Sequence, residues 1–329
     1  MTRFYAAPDI TEIATHEVVM GAAQAAAAAE ADGTAHFPPR LDVDLPRGFF
    51  RVMPGAMGEL MGAKVMTNVE GIGNRYLLLL FQQSNGELLA ILDAEEITRL
   101  RTAATTALAA GILQPSPQTH LALIGSGFEA TGHLRVMASL WPLERVCVYS
   151  PSPERRASFA ERMARELGID VFAADSCANA CAAADTVLLA TKAREPVIDG
   201  ASLRPNAVVL SIGSTRPVLR ELDRATLERT ATLLVDDVRS VCLESGDIID
   251  ALEHDALQTG HMLSIGMALR AGSLPSREAG RDLLTFKSVG TVVQDLALAH
   301  AVVCAGNGAG RDLGELARLK AFSAAQPAG

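Results

Sequence analysis

The sequence predicts an α/β protein in which a doubly wound parallel sheet is inserted in a discontinuous α+β domain. Three observations predict it. Residues 121–134, LALIGSGFEATGHL, run from a short apolar segment through Gly-x-Gly into a helical pattern. Residues 120–240 alternate short apolar runs with helical segments, which is how parallel strands joined by crossovers read. Residues 288–306, SVGTVVQDLALAHAVVCAG, read as one long apolar helix foreign to that sheet, so it is expected to return to the N-terminal part of the chain.

Taken in order, an alanine-rich helix covers about residues 11–31, because alanine is the best helix former and polar residues flank the run. The runs KVMTNV (64–69), YLLLLFQ (76–82) and LLAILD (88–93) are separated by turn residues such as SNGE at 84–87, which suits an antiparallel sheet with hairpins. A strong helix follows at 94–113, and QPSPQ at 114–118 breaks it at the best domain boundary in the chain. The runs HLALIG, RVCVYS, DTVLLAT, NAVVLSIG and TLLVDD are then strands of a Rossmann-type domain, with PERRASFAERMARELG and SCANACAAAD as helices between them. The expected division is 119–295 for this domain, and 1–118 with 296–329 for a second one.

The spacing of Gly125, Gly127 and Ala130 is the G-x-G-x-x-A form of the dinucleotide fingerprint. Gly125 permits the tight turn, Gly127 lets backbone approach a pyrophosphate, and Ala130 lets the helix pack closely on the sheet. The free N–H groups of that helix favour phosphate. A redox enzyme is the implied class.

Bulk properties exclude other classes. A chain of 329 residues with 49% apolar residues supports two domains and a large core. Its net charge of −9 and lack of a basic run argue against nucleic acid or an anionic membrane surface as partner. No apolar stretch reaches the length of a membrane span and the N-terminus lacks a signal-peptide core, so a cytoplasmic location is expected. Five cysteines without a C-x-x-C pair and scattered histidines give no metal signature.

A sheet that holds a nicotinamide leaves the substrate to residues outside it. Arg40, Lys64 and Arg101 stand in apolar or small-residue settings, and converging cations would suit a carboxylate substrate. Spacing alone equally allows them to be surface cations. Arg75, in GIGNRYLLLLF, faces either the pocket, to hold a second acidic group, or solvent.

The segments LRTAATTALAA (100–110), GSGFEA (125–130), RPVLREL (216–222), LESGDI (243–248) and FKSVG (286–290) together resemble the ornithine cyclodeaminase/mu-crystallin family, over a stretch from about Arg40 to the end of the terminal helix. The resemblance implies a discontinuous dimerisation and substrate domain with an inserted Rossmann domain, and a homodimer. It implies that Arg40, Lys64 and Arg101 bind the substrate carboxylate and that Val289 lines the pocket. It places cofactor contacts on Phe128, Glu129, Thr191, Ile212 to Thr215, and Ser288.

Two departures refine this. Where cyclodeaminases of the family place a catalytic Asp in G-G-D-x-P, this chain has IGSTRP with Thr215, and a threonine hydroxyl is no general base at neutral pH. The form resembles the ketimine reductase branch, which implies reduction of small cyclic imino acids (Δ1-pyrroline-2-carboxylate or Δ1-piperideine-2-carboxylate), with Lys64 influencing imine protonation and Thr215 hydrogen-bonding substrate or water. An alanine-dehydrogenase-like amino-acid dehydrogenase, a cyclodeaminase and a non-catalytic small-ligand binder are the rival readings. Second, the strand RVCVY ends in Ser150 where NAD-preferring enzymes carry Asp or Glu. Ser150 removes the carboxylate that repels a 2′-phosphate, and Ser152, Arg155 and Arg156 stand beside it, so NADP(H) is favoured over NAD(H).

Overall fold

The computed structural model describes residues 2–114, 116, 118–275 and 279–316. Two eight-stranded sheets organise them. In the first, the strands lie in the order Arg311–Gly314, Thr2–Tyr5, Leu88–Asp93, Gly73–Gln82, Leu60–Val69, Gly48–Met57 and Ala35–His36, with Leu41–Leu45 also paired to Gly48–Met57. Alternate burial along Leu88–Asp93 marks a sheet with one face in the core.

The second sheet is parallel at every pairing. Its order is Val171–Ala173, Arg145–Tyr149, His120–Ile124, Thr186–Leu189, Val208–Ser211, Leu283–Lys287, Thr230–Val235 and Met262–Ser264. Strands Thr186–Leu189, Val208–Ser211 and Leu283–Lys287 are buried along their whole length, as a sheet covered on both faces requires. The order reverses between His120–Ile124 and Thr186–Leu189, and in open α/β sheets ligands bind outside the strand ends at such a switch point.

One helix joins the two cores. Asp93 caps Ala94–Leu113 by accepting from Glu95 N at 3.0 Å. Its Ile97 and Ala104 pack in the core of the first sheet, while Ala109, Ala110 and Leu113 pack in that of the second. The helix Val292–Ala305 returns to the first sheet, burying Val292, Val293, Leu296, Leu298 and Val302 there.

The structure corrects several expectations. The N-terminal helix is two, Ala7–Ile13 and His16–Ala31, because Thr15 turns its hydroxyl to Val18 N and starts a new helix. The first sheet is not wholly antiparallel, since Thr2–Tyr5 pairs parallel with Leu88–Asp93 and covers that edge. Leu283–Lys287, a strand that the sequence reading did not name, lies between Val208–Ser211 and Thr230–Val235. In the expected break at 114–118, Pro115 and Pro117 lie outside the described residues, as do 317–329 of the expected terminal segment. Among the described residues, no helix is long and apolar enough to cross a membrane.

Candidate active site

The site forms where the joining helix, the returning helix and the strand Leu60–Val69 meet. Lys64 lies mid-strand on the face turned to the helices, and Gly62 shares that face two residues earlier. A Cβ at Gly62 would meet Leu79 O at 2.2 Å and Leu296 Cδ2 at 2.7 Å, so the missing side chain is what lets helix Val292–Ala305 come down on the strand. That approach sets Asp295 against Lys64. Lys64 Nζ donates to Asp295 Oδ1 at 3.1 Å and Oδ2 at 3.2 Å, while Arg101 Nε donates to Oδ1 at 3.0 Å and its Nη1 to Gln294 Oε1 at 2.7 Å. All four side chains are buried. Burial pushes the Lys64 ammonium down to about 8, against the opposing pull of Asp295.

Arg40 closes the other side. Its Nη2 donates to Val289 O at 2.8 Å and Gly290 O at 3.0 Å, and the guanidinium pairs with Glu244. Its Nε is buried without a hydrogen-bond partner among the described residues, and burial lowers its pKa. The 288–290 turn is itself held by Asp236, which accepts from Ser288 Oγ at 2.7 Å and Val289 N at 3.1 Å.

The loops at the ends of the second sheet hang on another carboxylate. Glu221 accepts from Thr191 N at 2.6 Å, Thr191 Oγ1 at 2.9 Å, Ser211 Oγ at 2.8 Å and Gly213 N at 2.8 Å. Asp247 in turn accepts from Glu221 N at 2.7 Å and pairs with fully buried Lys287 at 3.3 Å. Burial raises the Glu221 pKa, although Lys287 opposes it. These bonds fix the Thr191 and Ile212–Thr215 turns relative to each other.

The fingerprint residues fit a dinucleotide. Gly125 has φ of +124°, and a Cβ on it would meet Ala190 O at 2.4 Å, so only glycine makes this turn beside the neighbouring strand end. At Gly127, by contrast, a Cβ would meet nothing within 4 Å, which leaves room above the backbone. Gly127 caps helix Phe128–Leu140 without a side-chain hydrogen bond, so the first N–H groups are free for phosphate. Ala130 is fully buried against the sheet. A bound nicotinamide dinucleotide would supply a hydride.

The other expected residues are placed as follows. Ser150 is buried at the end of Arg145–Tyr149 and accepts from Ser126 Oγ at 2.9 Å. Ser152 caps helix Pro153–Leu167 by accepting from Arg155 N at 3.2 Å, leaving the Arg155 side chain exposed, while Arg156 donates to Ser150 O at 3.0 Å. Ile212 is core, Thr191 and Ser288 spend their hydroxyls on Glu221 and Asp236, and Thr215 is half-buried in its turn. Phe128 is exposed, with the Arg99 guanidinium 5.9 Å from its ring centre. Glu129 turns its Oε2 away from solvent. Arg75 pairs with Thr67 on the sheet face opposite Lys64, so it does not join the clamp. Among the described residues no group of three or more His, Cys, Asp or Glu side chains is placed to hold a metal.

Sequence reasoning missed the anions that hold this arrangement. Asp295 stood in plain view as a lone carboxylate in an apolar helix, which is a signal because burying an unpaired charge is costly. Glu221, Asp247 and Lys287 lay inside the family motifs but had themselves been given no role.

A dinucleotide site at the switch point beside a buried cluster of cations defines a nicotinamide-dependent oxidoreductase. Residues 2–305 match the Ornithine cyclodeaminase/mu-crystallin family, and the chain belongs to that family. It is 32% identical to Ketimine reductase mu-crystallin of Mus musculus over 264 residues, which cover 78% of this chain and 80% of that one. With Delta(1)-pyrroline-2-carboxylate reductase of Paracoccus denitrificans the identity is 30% over 248 residues, 73% of this chain and 78% of the relative. The fold matches the structure of Thermococcus litoralis Delta(1)-pyrroline-2-carboxylate reductase in complex with NADH and L-proline with a TM-score of 0.87 and 26% identity, covering 94% of this chain and 100% of that one. The protein is an NAD(P)-dependent oxidoreductase.

Proposed function

We propose that this enzyme reduces small cyclic imino acids, Δ1-pyrroline-2-carboxylate or Δ1-piperideine-2-carboxylate, to the L-amino acid, with NADPH preferred and NADH accepted. The observation that carries this reading is the convergence of buried Lys64 and Arg101 on one carboxylate, Asp295, beside the switch point. Two cations held together by an anion form a ready receptor for a substrate carboxylate, with Arg40 at its rim. The clamp aligns the imine carbon, so that catalysis is largely positioning. A relative with NADH and L-proline bound supports the same substrate class. Thr215 supports reduction over cyclodeamination, since a hydroxyl in the 213–216 turn offers no base for deprotonating ornithine. Ser150, without a carboxylate, supports NADPH.

The test is a panel followed by absorbance of the reduced cofactor: both cyclic imines, pyruvate with ammonia, and ornithine with catalytic NAD. Imine turnover well above the others is expected. Comparable turnover of pyruvate with ammonia would assign an amino-acid dehydrogenase, comparable release of ammonia and proline from ornithine would assign a cyclodeaminase, and ligand binding without cofactor oxidation a binding protein. Each of these overturns the reading.

A further inference from the structure

Glu129 stands in the first turn of helix Phe128–Leu140, immediately after Gly127. Its stem borders the cleft, with 30% of the side-chain surface accessible, yet Oε2 is sealed from solvent and has no hydrogen-bond partner among the described residues. The charges that act on it come from three sides: Arg101 and Arg99 from the joining helix, Lys64 from the first sheet, and Lys192 from the loop after Thr186–Leu189. Tyr76, which lies 5.5 Å under Lys64 Nζ, feels the Glu129 charge in return. On its own helix, His133 Nδ1 is 4.0 Å from Oε2, but burial holds that imidazole down to about 4 and its Nδ1 donates to Glu129 O at 2.8 Å. His133 is therefore a neutral neighbour. The Glu129 side chain thus lies in the field of the clamp cations and of Lys192, whose Nζ donates to Gly213 O at 3.3 Å beside the Thr215 turn.

Lys64 and Arg101 are committed to an anion, Asp295, and a substrate carboxylate would take the same kind of hold on them. Thr215 is not acidic. We propose that Glu129 is the proton donor of the reaction, giving its carboxyl proton to the imine nitrogen.

Resting on the imine reductase reading, the step balances as follows. A hydride from a bound reduced dinucleotide would add to the imine carbon. The C=N π electrons form the new N–H bond with the Glu129 proton, leaving a C–N single bond and a Glu129 carboxylate that regains a proton from solvent. Burial raises the Glu129 pKa, which favours the protonated acid, while the four cations oppose it. A pyrophosphate bound at the same helix N-terminus would add negative charge and favour the acid further.

Glu129→Gln keeps the shape and removes the acid. Its kcat for imine reduction is expected to fall by about 100-fold or more, with dinucleotide affinity, read from the fluorescence of the bound reduced cofactor, within about threefold of wild type. The kcat profile should lose its alkaline limb, and Glu129→Asp should restore that limb at partial rate, which a packing role would not do. Infrared difference spectra of the holo-protein, wild type minus Glu129→Gln at neutral pH, should show a protonated carboxyl band. Wild-type kcat with an unchanged profile in Glu129→Gln, or absence of the band, overturns the proposal. If wild type turns over no cyclic imine, the substrate reading has failed, and the infrared measurement still decides whether Glu129 carries a proton to give.

Discussion

Asp295→Asn isolates the design of the clamp, because one substitution unpairs both Lys64 and Arg101 while leaving volume unchanged. Removing one partner of a buried ion pair leaves uncompensated charge and costs about 3–5 kcal/mol. In a chain of this size that corresponds to a Tm lower by about 4–7 °C at pH 7. Lys64 limits the loss from one side. Its folded pKa, about 8, lies below the ordinary lysine value of 10.5, so below pH 8 it is charged and needs Asp295, whereas above pH 8 it sheds its proton. The destabilisation is therefore expected to be smaller at pH 9 than at pH 7. Two further readouts follow from the same arrangement. A carboxylate ligand such as L-proline should raise the Tm of Asp295→Asn more than that of wild type, since it supplies the missing anion. In kcat/KM, which reports the free enzyme, wild type should lose activity above about pH 8 as Lys64 becomes neutral, and Asp295→Asn should lose it at lower pH. An Asp295→Asn protein with wild-type Tm at pH 7 and an unchanged ligand shift would refute the paired-cation argument.

Ser150→Asp should lower the ratio of NADPH to NADH efficiency at least about tenfold, or 1.4 kcal/mol, by restoring a ribose ligand and repelling the 2′-phosphate. Wild type that already uses NADH as well as NADPH would contradict the reasoning. The protein is expected to be a homodimer through the outer face of the first sheet. The pairings Leu41 with Val52, Val52 with Val65 and Val65 with Leu77, and of Val43 with Phe50, put these residues on the face opposite Lys64, where Leu41, Val43, Leu45, Phe50 and Leu77 are exposed. Light scattering at micromolar concentration should give twice the chain mass, and a monomer would refute it.

The parallel sheet was legible because its strands are short, apolar and buried on both faces, and because Gly125 and Gly127 mark the turn where backbone has no room for, or no need of, a side chain. The short strands Val171–Ala173 and Met262–Ser264 left too few residues to show a period, and the place of Leu283–Lys287 between two earlier strands is a matter of topology that no local pattern records. Lys64 and Arg101 were legible as cations in small-residue settings. Their meeting was not, since Asp295 lies 231 residues from Lys64 and 194 from Arg101 along the chain. Glu129 was read only as a cofactor contact that the resemblance implies, and the burial of its Oε2 without a hydrogen-bond partner among the described residues is visible only in the structure.

The buried anions of this site divide by what they hold. Asp295 holds two clamp cations, Asp236 holds the 288–290 turn that presents Val289 O and Gly290 O to Arg40, and Glu221 with Asp247 holds the Thr191 and Gly213 turns. Each accepts hydrogen bonds that fix the groups it holds, and a carboxylate so engaged is a poor proton carrier, because protonating it breaks the bonds that keep it ionised. Glu129 differs on both counts, with a sealed Oε2 that holds nothing and cations that act on it only through space. A frame of hydrogen-bonded carboxylates beside a carboxyl with a buried, unpartnered oxygen is an arrangement in which a proton can move without the frame moving.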